Sequence, residues 1–156
     1  MNTDMMKKLM LAHEKHGKPF CVSVKGVSML PLLKNGDVIT VKRQDKYKTG
    51  DILIFEYGEG TAAHRLLKKT KRQYIFKGDN TYNLESIEPE KILGKAIYKM
   101  EDNNEKSLYP HWLKLRLICL LSLSIHRKWL KVKYVAPTQR SWRYRMYRWV
   151  YPVGEK

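Results

Sequence analysis

Four glycine-centred turns, Asn35-Gly36-Asp37, Thr49-Gly50-Asp51, Gly58-Glu59-Gly60 and Gly78-Asp79-Asn80, cut the first two thirds of the chain into short apolar runs. The runs are Phe20–Val24, Val38–Lys42, Ile52–Tyr57, Ala62–Leu67, Tyr74–Lys77 and Ile92–Met100, all rich in β-branched or aromatic residues. Runs this short, closed by residues that tolerate turn backbone, read as strands joined by tight connections. The expected fold class is therefore mainly β, a small antiparallel domain over residues 20–100. Ahead of it, Met5, Leu9 and Leu11 sit among charges and predict a short helix within residues 1–19, from about Thr3 as N-cap to Lys15. At 156 residues the chain is the size of one ordinary domain with an appendage.

Residues 106–156 have a different character. The net charge is +16. Residues 1–100 hold 19 basic and 11 acidic side chains, whereas residues 101–156 hold 12 and 4, so the tail is about twice as basic per residue. The polar run Glu101-Asp102-Asn103-Asn104-Glu105 is the expected boundary. Beyond it, Trp112 to Trp129 reads as a helix, and Arg143, Arg145 and Arg148 interleave with Trp142, Tyr144, Tyr147, Trp149 and Tyr151. Such a basic, aromatic extension suits an anionic membrane surface first and nucleic acid second. The uncharged core of the helix, Leu117–Ile125, is far shorter than the roughly 20 residues that span a bilayer. The interrupted N-terminal segment reads neither as a signal peptide nor as an anchor, so the expected location is cytoplasmic, with peripheral attachment to the inner face of the membrane. Cys21 and Cys119, each in an apolar run, are expected to be small core residues rather than a disulfide. No motif predicts a metal or an organic cofactor.

Within the β region four motifs occur in order: Gly26-x-Ser28-Met29-x-Pro31; Gly36-Asp37-Val38-Ile39-x-Val41; Gly50-Asp51-Ile52-Leu53-Ile54-Phe55 with Ala63-His64-Arg65; and Lys77-Gly78-Asp79-Asn80 with Gly94 beyond. This ordered set resembles the serine peptidase superfamily that contains signal peptidase I and the self-cleaving LexA-type repressors. The resemblance covers Phe20 to Tyr98, about half of the chain. In signal peptidase I and LexA-type proteins a lysine precedes the arginine of the third motif. In the archaeal, endoplasmic-reticulum and SipW-like signal peptidases it is histidine, as His64 is here, so the resemblance is closest to the Ser-His branch. That branch carries an acid after its K-G-D-N motif, usually Asp, where this chain has Glu85.

The resemblance implies that Ser28 is the nucleophile and His64 the general base. A serine hydroxyl needs a base within reach to attack a peptide carbonyl at neutral pH, and a neutral imidazole serves without burial. A carboxylate on the far ring nitrogen would orient the base, and Asp79 and Glu85 compete for that position. The Ser28 backbone N–H is the implied oxyanion donor, with Gly26 and Met29 beside it in the substrate-binding loop; Gly26 supplies backbone only. Asp37 and Asp51 read as turn-capping residues. The function so implied is a serine endopeptidase that removes a leader or signal segment from a peptide or small precursor protein. The competing readings are a LexA-type self-cleaving regulator and a catalytically idle binding module. Against the regulator stand the histidine base and the roughly 19 residues before the β domain, too few for a helix-turn-helix.

Overall fold

A computed structural model of the chain describes residues 18–102, 104–109 and 112–131, together with Lys8, Arg145 and Met146. The helix expected over Thr3–Lys15 and the arginine–aromatic stretch near the C-terminus lie outside the described residues, those three apart.

The architecture is mainly β and antiparallel, as expected. Eight strands form one sheet: β1 (Phe20–Ser23), β2 (Val38–Lys42), β3 (Ile52–Tyr57), β4 (Gly60–Lys69), β5 (Tyr74–Lys77), β6 (Glu85–Ile87), β7 (Ile92–Glu101) and β8 (Asn104–Ser107). Their order is β1-β2-β7-β3-β4-β5-β6, with β8 also paired to β7. One edge of β7 thus carries β3 against Ile92–Lys95 and β8 against Tyr98–Glu101. The six expected strands all form.

Two strands were not expected. Glu85–Ile87 is only three residues with one buried side chain, so it has no readable period. Asn104–Ser107 is exposed along its whole length and looks like a polar joint because its side chains are all polar and none is buried. Within the run over residues 101–105 the chain passes from β7 into β8, with Asp102 at a left-handed φ of 50°. Leu108 just beyond it is buried in the same core as β1 and β2.

Two of the glycine turns are built alike. In Lys34-Asn35-Gly36-Asp37 and in Lys48-Thr49-Gly50-Asp51 the aspartate Oδ2 accepts the lysine backbone N–H, at 2.7 and 2.8 Å. Both glycines take a left-handed φ, 90° and 98°. Both aspartates also pair with lysines of β7, Asp37 with Lys99 at 3.1 Å and Asp51 with Lys95 at 2.7 Å. The turn-capping role expected of Asp37 and Asp51 is what their geometry shows.

Alternation along β3 feeds two cores. Ile52 and Ile54 join Val22, Met29, Leu33, Val41 and Ala96. Leu53 and Phe55, pointing the other way, join Leu66, Phe76, Ile87 and Ile92. A strand buried on both faces reads as an unbroken apolar run, which is how Ile52–Phe55 stands in the sequence.

The helix α1 (Trp112–Lys131) packs on the domain. Among its described side chains Ile118, Cys119, Leu121 and Ser122 are buried, and Met146 packs against Ile118 and Leu121. A Cβ on Gly50 would fall 2.7 Å from the Leu115 side chain, so glycine there is what allows the helix so close. No helix among the described residues is long and apolar enough to cross a membrane. Both cysteines are free thiols, Cys119 buried as expected and Cys21 exposed. The core reading of Cys21 fails because the alternation of β1 buries Phe20 and Val22 and turns Cys21 outward.

Candidate active site

The pleat of β4 separates two adjacent side chains. His64 and Arg65 point to opposite faces, and each meets one of the two candidate acids. Leu66, Phe76 and Glu85 form one row across β4, β5 and β6. His64, two residues from Leu66, shares that face. Its Nδ1 lies 2.6 Å from Glu85 Oε2, with the two side chains 8% and 15% exposed. The edge of Phe55 packs against the imidazole at a centroid distance of 5.9 Å. With Nδ1 engaged by the carboxylate, Nε2 is the nitrogen left to face a reacting group.

Arg65 points the other way and is fully buried. Its Nε donates to Asp79 Oδ1 at 2.8 Å, one terminal nitrogen donates to Asp79 Oδ2 at 2.5 Å, and the other donates to the Gly50 carbonyl at 2.9 Å. A two-pronged guanidinium–carboxylate pair satisfies both buried charges and fixes the Asp79 backbone. Cys119 of α1 lies within electrostatic reach of this pair, and burial pushes its thiol pKa up. Lys77 is buried beside it, donating to the Gly78 carbonyl at 3.0 Å. Burial lowers the Lys77 pKa to about 8; the Asp79 charge opposes that shift and the Arg65 charge reinforces it.

The turn anchored by Asp79 holds the Ser28 loop. The Asn80 backbone N–H donates to the Ser28 carbonyl at 2.7 Å, and the Asn80 side-chain amide donates to the Val27 carbonyl at 3.0 Å. A Cβ on Gly78 would fall 2.7 Å from the Ser28 carbonyl oxygen, so only glycine permits this approach. On the other side of the loop, Gly26 takes a φ of 93°, and its N–H donates to the Asn35 side chain at 3.1 Å. Ser28 itself is half-buried at the head of a turn in which the Leu33 N–H reaches the Met29 carbonyl. No hydrogen bond joins the Ser28 hydroxyl to the imidazole among the described residues. In free enzymes such bonds are often long and tighten with substrate.

Residues 2–97, more than half of the chain, match the family model described as Peptidase S24-like. The chain belongs to the Peptidase S24-like family. No curated protein and no solved structure matches it. The β-rich sheet is that expected of the LexA and signal peptidase superfamily. The match stops short of α1, so the helix that covers the Arg65 side of β4 lies outside the family segment.

Within this S24-like domain the candidate residues do not form a single cluster. The structure brings His64 to Glu85 and takes Asp79 to Arg65. Met29 is 2% exposed and packs in the first core, which anchors the loop that carries Ser28. Gly26 contributes a backbone conformation. Two roles went unread in the sequence: Arg65 as the buried partner of Asp79, and Asn80 as the clamp on the Ser28 loop. Arginine inside an apolar strand, followed later by Gly-Asp, was the available signal for the first. The second was half visible: the Asn80 backbone bond leaves no mark on residue type, but its side-chain amide bond to the Val27 carbonyl does, and Asn80 closes the Lys77-Gly78-Asp79-Asn80 motif. Among the described residues no group of His, Cys, Asp and Glu is placed to hold a metal.

Proposed function

We propose that this protein is a serine endopeptidase of the Ser-His type, with Ser28 as nucleophile, His64 as general base and Glu85 as the acid that orients it. The reading rests on one observation, the 2.6 Å contact between His64 Nδ1 and Glu85 Oε2. Glu85 holds the ring as the Nδ1–H tautomer, which leaves the Nε2 lone pair to take the Ser28 hydroxyl proton. The serine oxygen attacks the scissile carbonyl, and the resulting oxyanion is met by the Ser28 backbone N–H. The imidazolium, stabilised by Glu85, gives its proton to the leaving amine, and the acyl ester remains on Ser28. A water molecule, deprotonated by the neutral His64, then attacks the ester, and His64 returns the proton to the serine oxygen.

The substrate is a leader or signal segment of a peptide or small precursor, bound extended along a strand edge. Main-chain hydrogen bonds then supply affinity and shallow pockets supply selectivity. The test is incubation of wild type, Ser28→Ala and His64→Ala with candidate precursors, read by mass spectrometry. A discrete cut made by wild type alone is the expected result. Retained cleavage in either variant overturns the assignment, and a chain that cuts only itself supports the LexA-type alternative.

A further inference from the structure

Among its described side chains, the helix α1 holds two large apolar residues in solvent. Leu113 and Leu120 are 56% and 65% exposed. Seven residues apart, they stand one above the other on the side opposite Ile118, Cys119 and Ser122. The helix carries five basic residues and no acidic one. The end of the domain on which it packs is basic as well. Leu115 lies against Gly50, next to the loop over residues 42–48, which holds four basic residues and one acidic. The tip of the β4–β5 hairpin, residues 68–72, holds four basic residues and no acidic one, all exposed. Lys69 Nζ donates to the Tyr47 carbonyl at 2.8 Å, which ties that tip to the same loop.

We propose that this end of the molecule docks on an anionic lipid bilayer, with α1 in the plane of the interface. Leu113 and Leu120 enter the boundary between headgroups and acyl chains. Lys68, Lys71 and Arg72 of the hairpin tip meet the lipid phosphates. Charge complementarity alone serves a nucleic acid equally well. The two exposed leucines decide for lipid, because aliphatic side chains gain by leaving water for acyl chains and gain nothing from a phosphate backbone. The inference is independent of the catalytic assignment.

The test is co-sedimentation of the full chain with vesicles containing roughly one-third phosphatidylglycerol in phosphatidylcholine. Binding is expected at low salt, absent on pure phosphatidylcholine, and weakened about tenfold or more near 0.5 M salt. The double variant Leu113→Ser with Leu120→Ser is expected to lose about tenfold in affinity, and Leu120→Trp to gain. The triple variant Lys68→Gln, Lys71→Gln, Arg72→Gln is expected to lose at least as much as the double. The proposal is overturned by a double-leucine variant and a Leu120→Trp variant that both bind like wild type. It is equally overturned by tight, salt-sensitive binding to RNA or duplex DNA without binding to the vesicles.

Discussion

Asp79→Ala and Glu85→Gln should fail in different ways, and the difference tests which acid serves the imidazole. Asp79 is the partner of a fully buried guanidinium, joined to it by two charge-assisted hydrogen bonds. Removing the carboxylate takes two charge-assisted hydrogen bonds and the counter-charge from the buried Arg65 guanidinium, while its bond to the Gly50 carbonyl stays. Breaking one side of a buried pair costs about 3–5 kcal/mol. For a domain of this size that lowers the unfolding midpoint by roughly 10–20 °C. Glu85 is 15% exposed on its side chain and its partner is a histidine, so Glu85→Gln keeps the shape and should lose less than about 1 kcal/mol. What it removes is a full negative charge beside the developing imidazolium. If that charge supplies about 2–4 kcal/mol to the transition state, kcat/KM falls by roughly 30- to 1,000-fold. The assays are thermal unfolding followed by circular dichroism and turnover of a fluorogenic peptide carrying the cleaved sequence. A Glu85→Gln enzyme within about threefold of wild type, beside an Asp79→Ala protein that folds normally but does not turn over, would refute this assignment of roles.

Gly78→Ala places a methyl 2.7 Å from the Ser28 carbonyl oxygen, a backbone atom with little freedom to move, so the serine loop must shift. Turnover should fall by about a hundredfold or more, with a stability loss of about 1–3 kcal/mol by thermal unfolding. The folded-state pKa of Lys77, about 8, lies below the unfolded value of 10.5. The unfolded chain therefore binds the extra proton between those values, and stability from this group rises as pH increases from about 8 to 10.5. Below that window the buried ammonium costs about 3 kcal/mol. Lys77→Met should be at least as stable as wild type at pH ~7 and lack the rise towards pH ~10, as measured by urea unfolding at each pH.

How much of this was legible in the sequence depended on whether a role leaves its mark on residue type. The six strands carried theirs as β-branched runs between glycine turns, and the mark survived because β2, β3 and β4 bury what they display. β8 carried none: its four side chains are exposed, and backbone pairing with β7 forms it. Likewise Cys21 sits in an apolar run, yet alternation turns it to solvent. The motif residues were visible as an ordered set, but their partners were not. Asp79 and Glu85 are both acids after the same glycine, and the sequence does not say which lies on the His64 face. That is settled by the register that sets Glu85 opposite Phe76 and by the pleat that turns Arg65 away from His64.

The same pleat accounts for why the candidate site tolerates so much buried charge. His64 and Arg65 are one residue apart, so any force that fixes β4 fixes both. On the Arg65 face the guanidinium joins Asp79 to the Gly50 carbonyl, and Gly50 is the glycine on which Leu115 of α1 rests. The Asp79 turn in turn holds Ser28 by its carbonyl through Asn80. Under the proposed assignment, Glu85 and Phe55 hold His64 on one face while the Ser28 loop is positioned from the other. A loop positioned through its backbone leaves its hydroxyl free of structural duty, and a nucleophile has to be free in that way.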